Sequence, residues 1–123
     1  MIGKIKQDSN IRTIDGWREK INADNYVELT KTFSFPSVSN FTTLAGGFGA
    51  YRITNINIPT NLKDGYSVSV VDAKVSSSLT WYCGCSKTVD PHDGSSCVTV
   101  YIASVATGAQ PLTATVKIEG YLK

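Results

Sequence analysis

The chain has no cluster of basic residues. Its 12 Lys and Arg stand singly between Lys4 and Lys123 and are nearly balanced by 10 Asp and Glu, which excludes the concentrated positive face that nucleic acid requires. It also has no apolar run of membrane-spanning length, and residues 1–20 hold no apolar stretch of the kind that drives secretion. The expectation is a soluble protein made in a cytoplasm, with no nucleic-acid partner and no membrane insertion. Cysteine is scarce: three residues, an odd number, do not frame a disulfide scaffold. Sustained helical periodicity is missing as well. The best helical candidate, 17–21 after Asp15, is cut off by Asn22, Ala23, Asp24 and Asn25, which favour a turn, so a hairpin is expected there.

What remains is alternation. In 26–35, Val27, Leu29, Phe33 and Phe35 share one parity while Tyr26, Glu28, Thr30, Thr32 and Ser34 take the other, the signature of a strand buried on one side. Pro36 ends it. Residues 37–49, with Gly46 and Gly47, read as a connection around a short strand at 41–44. Two later strands, 48–58 and 66–75, change parity in mid-course, between Ile53 and Ile56 and at Val70 and Val71. A β-bulge in each accounts for the slip.

Strands at 79–85 and 98–106 flank a long polar loop, 86–96. After a turn at 108–111, the last strand sets Leu112, Ala114, Val116, Ile118 and Leu122 against Thr113, Thr115, Lys117 and Tyr121. The pattern predicts an all-β protein, an antiparallel β-sandwich or jelly roll of about seven to eight strands. A length of 123 residues suits one domain with its own core. We read 1–15 as an N-terminal tail or the exit from an upstream shaft, and 16–123 as the single sandwich domain.

The segment GWREKINADNYVEL, residues 16–29, resembles the start of the terminal domains of bacteriophage tail fibres and related prophage receptor-binding proteins. There a Trp and a basic residue precede a tight turn containing Asp, and the next strand leads to a Phe-rich stretch, as Lys31-Thr32-Phe33-Ser34-Phe35 does here. The close of the chain, ATVKIEGYL at 114–122, looks like the final strand of such tips, which end on a Gly and an aromatic residue. The resemblance implies a β-sandwich tip at the far end of a fibre in the virion tail. It also implies a homotrimer that attaches to a glycan or protein receptor on the surface of a bacterial host.

Reactive side chains gather in 79–106, which holds all three cysteines and the only histidine, His92. By parity Cys83 and Cys85 share a face with Leu79 and Trp81, and about 6.6 Å of strand rise separates the two thiol residues, near the limit for a disulfide. Cys97 falls on the Thr99 and Tyr101 face, so a Cys85 to Cys97 bridge needs a bulge, with Gly84 the natural place for it. Cys83, Cys85, His92 and Cys97 are zinc-type ligands without the short spacer usual between paired cysteines. Plain buried thiols are expected, with no metal and no cofactor.

Asp90, His92 and Asp93, with Ser95 and Ser96, are too close in sequence to build a catalytic triad. Glu19, Glu28 and Glu119 show no pairing that would flank a glycosidic bond. The chain is therefore expected not to be an enzyme. Binding is the better use of the same region, because saccharides are held by aromatic faces and planar polar groups on a rigid scaffold. Tyr82 and Tyr101 point outward by parity, beside the loop carrying Asp90, His92 and Asp93, and these five residues form the candidate ligand site. The rival reading places the tyrosines in a subunit interface; Trp17 and Trp81 are expected in the core. The expected function is a virion fibre-tip or baseplate adhesin binding a host-surface receptor, a saccharide on this reading. A carbohydrate-binding module of a larger enzyme and a purely structural virion assembly domain are the alternatives.

Overall fold

Asp15 and Gly16 both adopt positive φ, 51° and 80°, the backbone of a two-residue type I′ turn whose twist matches that of paired strands. In a computed structural model, which describes residues 9–35, 42–43, 49–75, 81–104 and 112–123, this turn joins β1 (Ser9–Ile14) to β2 (Trp17–Asn22). The stretch expected as a tail thus contributes a strand from Ser9 onward, paired along its length with β2. Its weak alternation has a simple cause: β1 is an edge strand, and Ile11 stays half exposed. The hairpin expected at 22–25 forms too. Asn25 takes φ 66° and donates its N–H to the Asn22 carbonyl at 3.0 Å, and the Asp24 carboxylate accepts from the Tyr26 N–H at 3.1 Å.

This second turn leads into β3 (Tyr26–Phe35), which pairs through its whole length with the last strand, β9 (Leu112–Tyr121). Between them come β4 (Thr42–Thr43), β5 (Gly49–Asn57), β6 (Ser67–Val75), β7 (Trp81–Val89) and β8 (Ser96–Ser104). The described residues contain no helix. All pairings are antiparallel, in two sheets ordered β1-β2-β3-β9-β6 and β4-β5-β8-β7. The protein is an all-β antiparallel sandwich. The chain changes sheets after β3, β5, β6 and β8, which brings β3 beside β9 and β5 beside β8 in the Greek-key manner of jelly rolls.

Both expected bulges are present. The β5–β8 register shifts between Ile53 and Ile56, where Asn55 takes φ 55°, and the β6–β9 register shifts between Val70 and Asp72. In each strand the parity slip in the sequence is the extra residue itself.

The core fills the space between the sheets. Trp17, Val27, Leu29, Ala114, Val116 and Ile118 of the five-stranded sheet meet Val98 and Val100 of the other, with Ile53, Ile56, Cys83 and Cys85 packed around them. Trp17 is buried as expected, edge-on to Phe33 with ring centroids 5.9 Å apart; the Trp81 side chain lies outside the described residues. At one end, the segment 58–66 closes the sandwich. Lys63 N–H donates to the Tyr121 carbonyl at 2.8 Å, Lys123 N–H to the Asn61 carbonyl at 3.1 Å, and Leu62 bridges to Leu122.

Candidate binding face

In β7 and β8 alternate side chains face the core and solvent. Val98 and Val100 are fully buried, so Cys83, Cys85 and Lys87 share the inner face by register, the two thiols half-buried and Lys87 exposed on the edge strand. By register Tyr82, Gly84, Ser86 and Thr88 share the outer face with Tyr101, Thr99 and Cys97, of which Cys97 is covered and only 1% exposed. Gly84 lies opposite Tyr101, and a Cβ on Gly84 would come within 2.5 Å of the Tyr101 hydroxyl oxygen. The tyrosine ring therefore lies flat across the glycine, in space that any other residue would fill. Tyr82 packs against it with ring centroids 6.0 Å apart and planes tilted by 32°. Burial, and then the Tyr82 hydroxyl, push the Tyr101 pKa up. Tyr82 itself is 63% exposed. The result is a two-ring aromatic platform on the outer face of the four-stranded sheet.

The rest of the expected site is elsewhere. Residues 86–89, polar enough to suggest a loop, continue β7 in register with β8: Lys87 pairs with Val98, Thr88 with Cys97 and Val89 with Ser96. The loop is consequently the short turn 90–95. About 20 Å of strand separates Gly84 from Asp90, so Asp90, His92 and Asp93 do not stand beside the tyrosines. Within the turn, Asp90 accepts from the His92 N–H and Asp93 from the Ser95 N–H, both at 2.8 Å. The Asp90 N–H donates to the Ser95 carbonyl, and the Gly94 N–H to the Asp90 carbonyl, again at 2.8 Å. The hydrogen bonds from Ser95 hold the Asp93 carboxyl below its usual pKa. These carboxylates build the turn, as Asx residues do, and His92 is exposed above it.

The thiols stay free. Cys85 pairs with Val100 and Cys97 with Thr88, on opposite faces of the sheet, so the Cys85 to Cys97 bridge is ruled out by register. Burial, with a smaller push from Cys85, raises the Cys83 pKa to about 11, and burial raises that of Cys85. Such thiols are poor nucleophiles and poor metal ligands at neutral pH. Among the described residues no three His, Cys, Asp or Glu gather as a metal site.

Two features were not legible in advance. On the outer face of the five-stranded sheet, Glu28 and Glu119 are direct cross-strand partners, contrary to the expectation that the glutamates show no pairing. Lys117 lies between them, 3.0 Å from Glu28 and 3.1 Å from Glu119, while the Tyr26 hydroxyl donates to Glu119. Hydrogen bonds from Tyr26 and Lys117 lower the Glu119 pKa, and the bond to Glu119 raises that of Tyr26 to about 12. Both carboxylates thus share one ammonium on an open sheet face. The parity of Tyr26, Glu28, Lys117 and Tyr121 was visible in the sequence; the pairing register that unites them was not.

The second feature is Glu19. It points inward between Trp17 and Ile21 and is only 1% exposed. Arg12 approaches it at 2.6 Å and the Thr60 hydroxyl donates to it. Burial pushes the Glu19 carboxyl up, but the hydrogen bonds from Arg12 and Thr60 and the Arg12 charge outweigh it, so its pKa falls. The carboxylate ties β1 and β2 to the closing segment 58–66. That segment also borders a cleft of about 320 Å³ between Asn57, Thr60, Asn61, Asp64, Tyr66 and Ser95. Lys87 donates to the Tyr66 carbonyl at 2.7 Å with its ammonium 3.9 Å from the centre of the Tyr66 ring.

No family model, no curated protein and no solved structure matches this chain.

Proposed function

We propose that the protein is a binding module that takes a saccharide on the outer face of the four-stranded sheet, with the Tyr82–Tyr101 platform as the contact surface, and that it serves as the tip of a bacteriophage fibre attaching to its host. The observation that carries the reading is the exposed Tyr82 ring braced on Tyr101 across Gly84. A braced ring offers a flat apolar surface to a sugar face at little cost in side-chain entropy. The resemblance of 16–29 and 114–122 to tail-fibre tips supports the attachment role, and with it a homotrimer in the virion tail. The sandwich supports a rigid platform, which a receptor-binding surface requires.

The test has two parts. Light scattering measures the mass, and retention of the purified protein on bacterial cells and on immobilised glycans measures binding. A trimer that binds cells, and whose affinity drops by about tenfold or more on Tyr82→Ala, supports the adhesin. A monomer that binds glycans favours a carbohydrate-binding module of a larger enzyme. Absence of binding to any cell or glycan overturns the reading and leaves a structural assembly role.

A further inference from the structure

Charge is distributed unevenly between the sheets. The four-stranded sheet has no Asp or Glu in any of its strands; its only ionised side chains are Arg52 on β5 and Lys87 on β7. Lys87 lies on the opposite, inner face by register and, though exposed, is held by the Tyr66 carbonyl. Arg52 pairs directly with Tyr101 across the β5–β8 ladder and therefore stands on the outer face with it. Cross-strand partners of this kind lie about 5 Å apart at Cβ. The row across the sheet thus runs Gly84, Tyr101, Arg52, with Tyr82 diagonal to it on β7.

Arg52 is exposed, and among the described residues it forms no ion pair. Its surroundings in sequence offer none either. Arg52 is the only charged residue between Thr32 and Leu62, and there is none between Ser95 and Val116. The acidic turn 90–95 is about 20 Å further along the hairpin, beyond the screening length of physiological salt. A guanidinium next to an aromatic platform, on a sheet without a single carboxylate, is complementary to one class of ligand.

We infer that the saccharide bound on this face is anionic: its ring stacks on Tyr82 while a carboxylate or phosphate on it, or on the neighbouring sugar, is taken by the Arg52 guanidinium. The guanidinium fork pairs with either group through two parallel N–H···O bonds. The inference rests on the binding function proposed above and adds its chemical selectivity. The geometry sets the spacing. Arg52 and Tyr82 are separated by two strand intervals and two residues, about 12 Å between Cα atoms, which a disaccharide spans once the arginine side chain reaches over Tyr101.

The experiment uses the whole chain on an array of matched glycans: lactose, sialyllactose and lactose phosphate, with neutral and uronic-acid oligosaccharides beside them. Wild-type protein is expected to bind the anionic member of a pair at least about tenfold more tightly than the neutral one, with the gap closing as salt is raised. The carboxylate and phosphate arms distinguish which anion is preferred. Arg52→Gln is expected to bring the affinity for the anionic glycan down to that of its neutral counterpart, with unchanged circular dichroism and melting temperature. Equal wild-type affinity for both members of every pair, or a preference that survives Arg52→Gln, overturns the inference while leaving saccharide binding standing. No binding to any glycan overturns both.

Discussion

The two sheets share one core but present opposite outer faces. That of β1-β2-β3-β9-β6 is stitched by charge: Lys117 joins Glu28 to Glu119, Tyr26 adds its hydroxyl, and Lys20 stands 3.9 Å from Glu28. That of β4-β5-β8-β7 is held by shape, with Tyr101 laid over Gly84 and Thr88 bonded to Thr99 at 3.3 Å. A face whose polar groups satisfy one another has little left to offer a ligand. One that leaves the Tyr82 ring 63% exposed, and Arg52 without an ion pair among the described residues, has binding capacity in reserve, and this contrast is what supports the proposed binding face.

The sharpest way to break this contrast is steric. Gly84→Val places carbon where the Tyr101 ring lies, so the ring must leave the sheet. We expect a loss of about 1–3 kcal/mol in chemical denaturation, together with loss of glycan binding, and neither effect should depend on salt. A Gly84→Val protein that binds normally would mean that the braced platform is not the contact surface.

Acid should act on the other sheet. The pKa values of Glu19 and Glu119 are lowered on folding. Their stabilisation is therefore fully present above the ordinary carboxylate value of 4.5 and is lost as pH falls through the folded values. Glu19→Gln, which keeps the shape of the buried group but removes its charge, should cost about 1–3 kcal/mol at neutral pH and flatten the acid limb of a stability-versus-pH curve. Because no carboxylate lies in the four-stranded sheet, the binding of a neutral glycan should persist over the pH range in which the protein remains folded.

The smallest effect is at the alkaline end. Tyr26 is raised from 10.0 to about 12 by its bond to Glu119. Its contribution is complete below 10.0 and is lost as pH rises through about 12. Tyr26→Phe should remove that alkaline loss and scarcely change stability at neutral pH, since the pair is only partly buried and Glu119 keeps Lys117 as a partner. Ultraviolet titration of the tyrosines measures it directly.

Much of the fold could be read from alternation. Val27, Leu29 and Phe33, then Ala114, Val116 and Ile118, announce two half-buried strands that turn out to be partners, and the parity slips at Ile53 and Val70 mark real bulges. Reading failed where side-chain chemistry and strand pairing part company. Lys87, Thr88 and Val89 look like loop but continue a ladder, because β8 offers them partners in register. Glu19 looks like a surface residue but is buried, since Arg12 and Thr60 arrive from elements distant in sequence or across a turn. The candidate site was half legible for the same reason. Parity correctly sent Tyr82 and Tyr101 outward, whereas the distance from them to Asp90, His92 and Asp93 depends on how far the hairpin extends. Arg52 could be found only once the β5–β8 register placed it opposite Tyr101.

The turn at 90–95 also matters for handling the protein. Its backbone and carboxylates satisfy one another without help from either sheet face, and exposed self-contained turns accept insertions and labels better than other positions. A fluorophore or a foreign peptide grafted at His92 would ride on the hairpin about 20 Å from the aromatic platform, close enough to report occupancy by energy transfer and too far away to obstruct it.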